Sequence, residues 1–183
     1  MSDRTALERL LARRSVRHGD FLLASGKRST YYIDARLTTM SAEGLVLVGR
    51  LGLAAIRHAG WDPGAVGGLT MGADPVAYAI ARASADDPPA VDAFSVRKAT
   101  KEHGTGRRIE GNFTTERPVV VVEDVITSGG SALHAIEAVL AAGGTVAGVL
   151  AVVDREEGGK AMIEAGGYNV VVLTTTSRLK VQE

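Results

Sequence analysis

The segment at residues 119–131 reads VVVVEDVITSGGS, and it determines how the rest of the chain is interpreted. Four consecutive valines are typical of a central strand that is buried on both faces of a parallel sheet. Two acids, Glu123 and Asp124, come next, and a loop of Thr, Ser and Gly residues then leads into a helix. The pattern predicts that the acids and the loop lie at the carboxyl edge of a sheet, where open α/β sheets bind ligands.

The loop at 127–131 has the residue types that bind a phosphate. Small residues let backbone N–H groups approach an anion, and the following helix N-terminus adds partial positive charge. Hydroxyls of Thr127, Ser128 and Ser131 are further donors, while Glu123 and Asp124 suit the neighbouring hydroxyls of a sugar. These features predict a ribose 5-phosphate site. The alternative is a glycine-rich turn that caps a helix, and neither the Walker A nor the Rossmann pattern occurs here.

Apolar strands and amphipathic helices alternate on both sides of this segment, which predicts a mainly parallel sheet flanked by helices. Asp74 is predicted to be the N-cap of its helix, with Pro75 at the first helical position. We predict strands at 31–34, 65–69, 91–96, 119–122, 146–153 and 170–173, and an extended region at 21–23. We predict helices from 3 to about 16, 41 to 60, 74 to about 84, 160 to 165, and from the 127–131 loop to 143 with Leu133, Ile136, Val139 and Leu140 on one face.

Residues 98–113 contain five basic side chains, three glycines and little apolar periodicity, so they predict a long loop. Arg97, Lys98, Lys101 and His103 place four cationic donors within seven positions. Cations on a closing loop stabilise the charge that develops on a pyrophosphate leaving group. The other interpretation is a solvated basic run.

Length and composition predict a single domain over residues 1–183. The absence of cysteine excludes disulfides and thiolate-bound metals. Because 21 basic residues balance 21 acidic ones, the net charge is zero and bulk attraction to nucleic acid is not expected. No apolar run approaches the roughly 20 residues of a membrane span, so we expect a cytoplasmic protein without membrane contact.

The 119–131 segment resembles the phosphoribosyl pyrophosphate motif of type I phosphoribosyltransferases. Three further segments resemble orotate phosphoribosyltransferases. The 97–111 segment is similar to their mobile catalytic loop, the 21–34 segment is similar to their N-terminal substrate region, and the 152–158 segment also matches this family. The resemblance implies the type I phosphoribosyltransferase fold, with residues 1 to about 40 forming a hood that helps to bind the base. It also implies phosphoribosyl transfer from phosphoribosyl pyrophosphate to orotate with Mg²⁺, in a homodimer that shares the catalytic loop between subunits.

The resemblance also implies residue roles. Lys101, His103 and Asp124 are the expected catalytic residues, and Thr127 and Arg155 are expected to hold orotate. An ion pair of Arg155 with Glu156 or Glu157 is the other interpretation of that arginine. Magnesium is expected to be held by substrate and water, with no direct protein ligand. The residues expected to bind phosphoribosyl pyrophosphate are Arg97, Lys98, Lys101, His103, Glu123, Asp124, Val125, Ile126, Thr127, Ser128, Gly129, Gly130 and Ser131.

Two further segments bear on the resemblance. The 68–73 segment matches the loop that grips pyrophosphate through backbone N–H groups, and we predict a cis peptide near Thr70-Met71. Many relatives have a lysine where this chain has Ala24, and Lys27 is either its replacement or an exposed turn residue. Two other functions remain open: a related enzyme acting on a purine, and a non-catalytic sensor of phosphoribosyl pyrophosphate. The sensor is disfavoured by the presence of Lys101 and His103.

Overall fold

The computed structural model describes residues 2–22, 28–98 and 108–179. In those ranges the helices are α1 (Asp3–Arg14), α2 (Arg36–Thr39), α3 (Ala42–His58), α4 (Ala73–Asp86), α5 (Gly130–Ala141), α6 (Gly159–Ala165) and α7 (Thr176–Leu179). The strands are β1 (Val16–Leu22), β2 (Arg28–Ile33), β3 (Ala65–Leu69), β4 (Asp92–Val96), β5 (Ile109–Gly111), β6 (Val119–Ile126), β7 (Val146–Asp154) and β8 (Val170–Thr175).

The main sheet has six strands in the order β5-β4-β3-β6-β7-β8. All neighbours pair in parallel except β5, which runs antiparallel to β4 at the edge. The chain leaves β3 towards β4 on one side, and it leaves β6 towards β7 on the other. The carboxyl ends of β3 and β6 therefore form the switch point at which such sheets bind ligands. The predicted mainly parallel sheet is confirmed.

Helices cover both faces of this sheet, and the alternation of β6 side chains shows how. Val120 and Val122 pack into a core with residues of α1, α3 and α4. Val119 and Val121 point to the opposite face and pack into a second core with residues of α5. All four valines are fully buried, because each face of a central parallel strand is covered by a helix layer. The two cores hold β6, and with it the two acids, in a fixed position.

The N-terminal part differs from the prediction in where its helix ends. α1 stops at Arg14, and the N–H of Ser15 donates to the carbonyl of Leu11. The hydroxyls of Ser15 and Thr38 lie 2.7 Å apart in a buried position, which joins the end of α1 to α2. β1 then pairs antiparallel with β2 in a separate two-stranded sheet, so it begins at Val16 rather than near residue 21.

The predicted cap of α4 is wrong. The helix begins at Ala73, and Gly72 occupies the N-cap position without a side-chain capping bond. Asp74 lies inside the first turn and accepts hydrogen bonds from Thr70 and Ser95 instead. Because the carboxylate is engaged by other elements, it does not cap its own helix.

Other differences come from tertiary pairing. β6 continues to Ile126 because β7 pairs with it as far as Asp154, so both acids lie within the strand. β5 lies inside the predicted 98–113 loop, where the edge position requires no apolar alternation. Leu140 is 48 % exposed and does not share the buried face of α5. The short helices α2 and α7 were not predicted.

Within the ranges that the structure describes, no helix combines the length and apolar character needed to cross a membrane.

Candidate active site

A cavity of about 670 Å³ opens at the carboxyl ends of β3 and β6, where the topology places a ligand site. Segments from five parts of the chain line it, and they include the end of β2 and the first residue after β7. The lining residues are Tyr32, Ile33, Asp34, Arg36, Leu69, Thr70, Met71, Gly72, Lys98, Glu123, Asp124, Val125, Thr127, Ser128, Ser131 and Arg155.

The loop between β6 and α5 forms a smaller cavity of about 80 Å³ beside the first. Gly129 has φ +83°, a left-handed conformation that glycine adopts without a steric penalty, and it is the N-cap of α5 without a side-chain capping bond. A Cβ at Gly159 would lie 2.4 Å from the carbonyl oxygen of Thr127, so α6 approaches this loop only because residue 159 lacks a side chain. The loop is thus held as a compact cradle at a helix N-terminus, which suits a phosphate.

The two acids of β6 have different surroundings. Glu123 is 6 % exposed, and its Oε2 has no hydrogen-bond partner among the described residues. Burial raises the pKa of Glu123 well above its usual value, and the nearby charge of Asp124 raises it further. Asp124 is partly exposed, and its Oδ1 accepts a hydrogen bond from the N–H of Val125 at 2.9 Å. The cavity therefore contains a buried carboxyl that resists ionisation and a more accessible one.

The loop after β3 lies directly against Asp124. A Cβ placed on Gly72 would be 2.5 Å from Oδ1 of Asp124, a distance that real Cβ atoms do not show. The peptide bond between Thr70 and Met71 is cis, as predicted from the resemblance. The loop thus brings its backbone to the acids of β6, and glycine at position 72 makes the approach possible.

Arg155 follows β7 and is 4 % exposed. Its Nε donates to Oε1 of Glu157 at 2.8 Å, and its guanidinium carbon lies 4.8 Å from the ring centroid of Tyr31. Its Nη2 is buried and has no partner among the described residues. The alternative interpretation of Arg155, an ion pair with a following glutamate, is therefore confirmed for Glu157. This pair leaves one end of the guanidinium available in the cavity wall. A planar cation with a free N–H group is suited to a carboxylate or carbonyl edge.

The first two basic residues of the 97–111 segment take different positions. Lys98 is exposed and lines the cavity. Its charge acts to lower the pKa of Glu123, against the larger raising effects of burial and Asp124. Arg97 lines neither cavity, and its Nη1 lies 3.4 Å from Oε1 of Glu110. The predicted residues Lys101 and His103, like Ala24 and Lys27, lie outside the described residues.

The remaining predicted residues are brought together. Both cavities share several of them, and the smaller one adds residues whose backbone forms the cradle. Those lining at least one cavity are Glu123, Asp124, Val125, Ile126, Thr127, Ser128, Gly129, Gly130, Ser131 and Arg155.

Sequence reasoning missed one cation of this site, Arg36. Its Nε and Nη2 donate to the two carboxylate oxygens of Asp34 at 2.8 and 3.0 Å, and Arg36 lines the cavity. Hydrogen bonding from Arg36 lowers the pKa of Asp34. The signal was the Asp-Ala-Arg string directly after Ile33, which places opposite charges two residues apart at the end of a strand.

Comparison with known proteins identifies the family. No protein-family model matches the chain. Orotate phosphoribosyltransferase of Rhodopirellula baltica is 43 % identical over 177 residues, covering 94 % of this chain and 92 % of the relative. The enzyme of Mycobacterium tuberculosis is 48 % identical over 167 residues, covering 90 % and 89 %. The crystal structure of the M. tuberculosis enzyme in complex with 5-phospho-α-D-ribosyl 1-diphosphate has a TM-score of 0.83 at 41 % identity, covering 98 % of this chain and 99 % of that one. The chain belongs to the orotate phosphoribosyltransferase family.

Proposed function

We propose that the chain transfers the 5-phosphoribosyl group from phosphoribosyl pyrophosphate to orotate, giving orotidine 5′-monophosphate and pyrophosphate, at the cavity between β3 and β6. The observation that carries the proposal is that one cavity wall contains both donors for a phosphate and a cationic group for an anionic base. The 127–131 cradle supplies phosphate donors, and the buried Nη2 of Arg155 has no protein partner in the described chain. A ligand with a phosphate at one end and an anionic base at the other satisfies both.

Each role is assigned to the chemistry of the residue. The 127–131 loop holds the 5-phosphate through N–H groups and hydroxyls. Asp124 and Glu123 hold the ribose hydroxyls, and Asp124 also favours the positive charge that the sugar gains as the C1–O bond breaks. Glu123 keeps its proton to a higher pH than an exposed glutamate, so it is able to donate to one oxygen and accept from another.

The leaving pyrophosphate needs positive charge on the opposite side. We assign this to Lys98, which lines the cavity, and to Arg97, Lys101 and His103 by resemblance. Lys101 and His103 act as the donors closest to the departing oxygen, where they stabilise its developing charge or protonate it. No protein nucleophile is required, because the ring nitrogen of orotate attacks C1 directly.

Orotate is assigned to the side of the cavity formed by Thr127 and Arg155. The Nη2 of Arg155 donates to the base, while Glu157 and the ring of Tyr31 hold the guanidinium in place. Lys27 is the candidate for the cation that relatives have at the position of Ala24.

Magnesium fits this site as a partner of the substrate. Asp124, the more accessible of the two acids, places hard oxygen atoms at the cavity wall, and an ion held by the substrate would be compatible with them. When bound, it would offset the negative charge of the pyrophosphate group. We assign most of its ligands to substrate and water, so the protein binds the ion chiefly by holding the substrate.

We also propose that residues 1–183 act as one domain, with about 1–40 forming a hood over the base, and that two copies associate. The hood is supported by Tyr32, Ile33 and Asp34, which bring the end of β2 into the cavity wall. The dimer, with catalytic loops exchanged between subunits, is supported by the resemblance and by exposed apolar side chains. Val46 on α3, for example, is 51 % exposed.

The test is loss of orotate absorbance with purified protein, phosphoribosyl pyrophosphate and magnesium, with a control lacking each component. Loss that requires every component supports the proposal. Binding of phosphoribosyl pyrophosphate without orotate consumption would overturn the orotate assignment, and purine acceptors would be assayed in the same way.

A further inference from the structure

Asp74 is bound by two hydroxyl groups from other parts of the fold. Oδ2 accepts from Oγ1 of Thr70 at 2.6 Å, and Oδ1 accepts from Oγ of Ser95 at 2.7 Å. An ionised carboxylate is an acceptor only, so both hydroxyls must donate. Hydrogen bonds to a charged acceptor are roughly twice as strong as neutral ones, and these two join the loop after β3 to the end of β4.

The connection extends beyond Asp74. The hydroxyl of Tyr78 lies 3.1 Å from Oγ of Ser95. Because Ser95 gives its only hydrogen to Asp74, Tyr78 is the donor in this contact. A backbone bond runs in parallel, since the N–H of Thr70 donates to the carbonyl of Val96 at 2.8 Å. The 70–72 loop is therefore tied to β4 through both backbone and side chains.

The two segments that Asp74 joins both lead into the cavity. Thr70, Met71 and Gly72 line it directly, and β4 continues through Arg97 to Lys98, which also lines it. Asp74, Ser95 and Tyr78 are not among the lining residues. Asp74 therefore lies behind the cavity wall, one hydrogen bond away from the lining residue Thr70.

We propose that Asp74 is a positioning residue that holds the 70–72 loop in register with the end of β4 and so sets the pyrophosphate end of the donor site. The inference rests on the proposed function for the identity of the ligand. The hydroxyl of Thr70 donates its hydrogen to Asp74, so this side chain is not a donor to a phosphate. The contribution of Thr70 is the placement of the loop backbone beside Asp124.

A purely structural role for Asp74 predicts a different result. A carboxylate in the first turn of α4 interacts favourably with the helix dipole, and its removal then lowers stability without selecting one substrate. A positioning role weakens the binding of phosphoribosyl pyrophosphate and of pyrophosphate, and it leaves the KM for orotate unchanged. The readout is therefore whether binding of the pyrophosphate ligands is lost while the KM for orotate is kept.

The experiment compares Asp74→Asn and Ser95→Ala with the control Arg82→Gln. Arg82 is on the same helix, pairs with Asp86 at the surface and does not line the cavity. The measurements are the dissociation constant of pyrophosphate with magnesium by calorimetry, KM for each substrate, and the melting temperature. We expect pyrophosphate binding and KM for phosphoribosyl pyrophosphate to worsen roughly tenfold in both variants, the cost of one charged hydrogen bond. The orotate KM and the control remain within about twofold of wild type.

Unchanged pyrophosphate affinity in Asp74→Asn would overturn the proposal, as would an equal loss of affinity for both substrates. If Asp74→Asn fails to fold, Ser95→Ala decides the matter, because it leaves the acid on α4 in place. Calorimetry needs no turnover. A wild-type protein inert towards orotate would therefore refute the proposed function, while the pyrophosphate affinities would still test the role of Asp74.

Discussion

Arg155 and Glu157 form an ion pair that uses the Nε of the arginine and leaves its Nη2 without a partner among the described residues. The Nε of Arg155 donates to Glu157 at 2.8 Å, while the buried Nη2 has no partner among the described residues. A buried polar group without a partner is costly, and such groups in folded proteins are normally satisfied by protein or water. We therefore expect a bound ligand to accept the hydrogen bond that the Nη2 of Arg155 does not make within the described residues.

Replacing Arg155 with lysine removes the planar group that this geometry holds. We expect the orotate KM to rise roughly 10- to 100-fold, since hydrogen bonds to charged groups contribute about 1.5–3 kcal/mol. KM for phosphoribosyl pyrophosphate changes little, because the cradle is intact. Steady-state kinetics checks this, with Arg178→Lys as control, because Arg178 pairs with Glu8 and does not line the cavity. Parallel losses for both substrates would contradict the assignment.

A methyl group at Gly72 tests the contact between the 70–72 loop and β6. The added Cβ of Gly72→Ala would lie 2.5 Å from Oδ1 of Asp124, so the loop or the carboxylate must move. We expect kcat/KM to fall by about 100-fold or more, because displacements near 1 Å have this effect in active sites. Activity close to wild type would show that the loop shifts freely and that its placement is unimportant.

Glu123 makes stability depend on pH in a definite direction. Its folded pKa is raised well above the usual 4.5, so the unfolded chain loses this proton first as pH rises. Above about pH 4.5 the unfolded state is favoured progressively, until the pH passes the folded pKa. The ligand-free Glu123→Gln variant should therefore melt at a higher temperature than wild type at pH 8, and this advantage should vanish near pH 4.

Thermal melts of both proteins across that pH range measure the difference. The same variant should lose activity, because an amide does not reproduce the carboxyl group at the ribose. A Glu123→Gln variant that is less stable than wild type at pH 8 would show that the carboxylate is stabilised in the folded protein.

Replacing Lys101 should affect kcat much more than it affects substrate binding. We expect Lys101→Ala to lower kcat by roughly 10²- to 10⁴-fold, as for loss of a general acid or charge stabiliser, and to weaken phosphoribosyl pyrophosphate binding much less. Single-turnover kinetics and calorimetry measure the two effects separately. An unchanged kcat would remove Lys101 from the catalytic step.

Sharing of the catalytic loop between subunits is tested with two inactive variants. Lys101→Ala and Asp124→Asn should each be inactive alone, and a refolded equimolar mixture should recover about a quarter of wild-type activity. Half of the dimers are then hybrids, and each hybrid has one site with a normal loop and a normal acid. Full dimerisation by light scattering without recovery would place both groups in the same subunit.

The sequence by itself determined the sheet and the phosphate cradle, because these depend on local patterns. The valine run at 119–122 requires burial on both faces, and the 127–131 loop carries its donors within five residues. The resemblance of the 68–73 segment also predicted the cis peptide at Thr70-Met71, which the structure confirms.

The tertiary structure alone decided what depends on distant partners. Asp74 has the sequence context of a helix cap, but its carboxylate is bound by Thr70 and by Ser95, which is 21 residues away. The buried positions of Glu123 and Arg155, and so the raised pKa of one and the unpartnered Nη2 of the other, follow from how helices and strands close around them. Burial and hydrogen bonding between remote segments are properties of the packed chain, and a local pattern does not specify them.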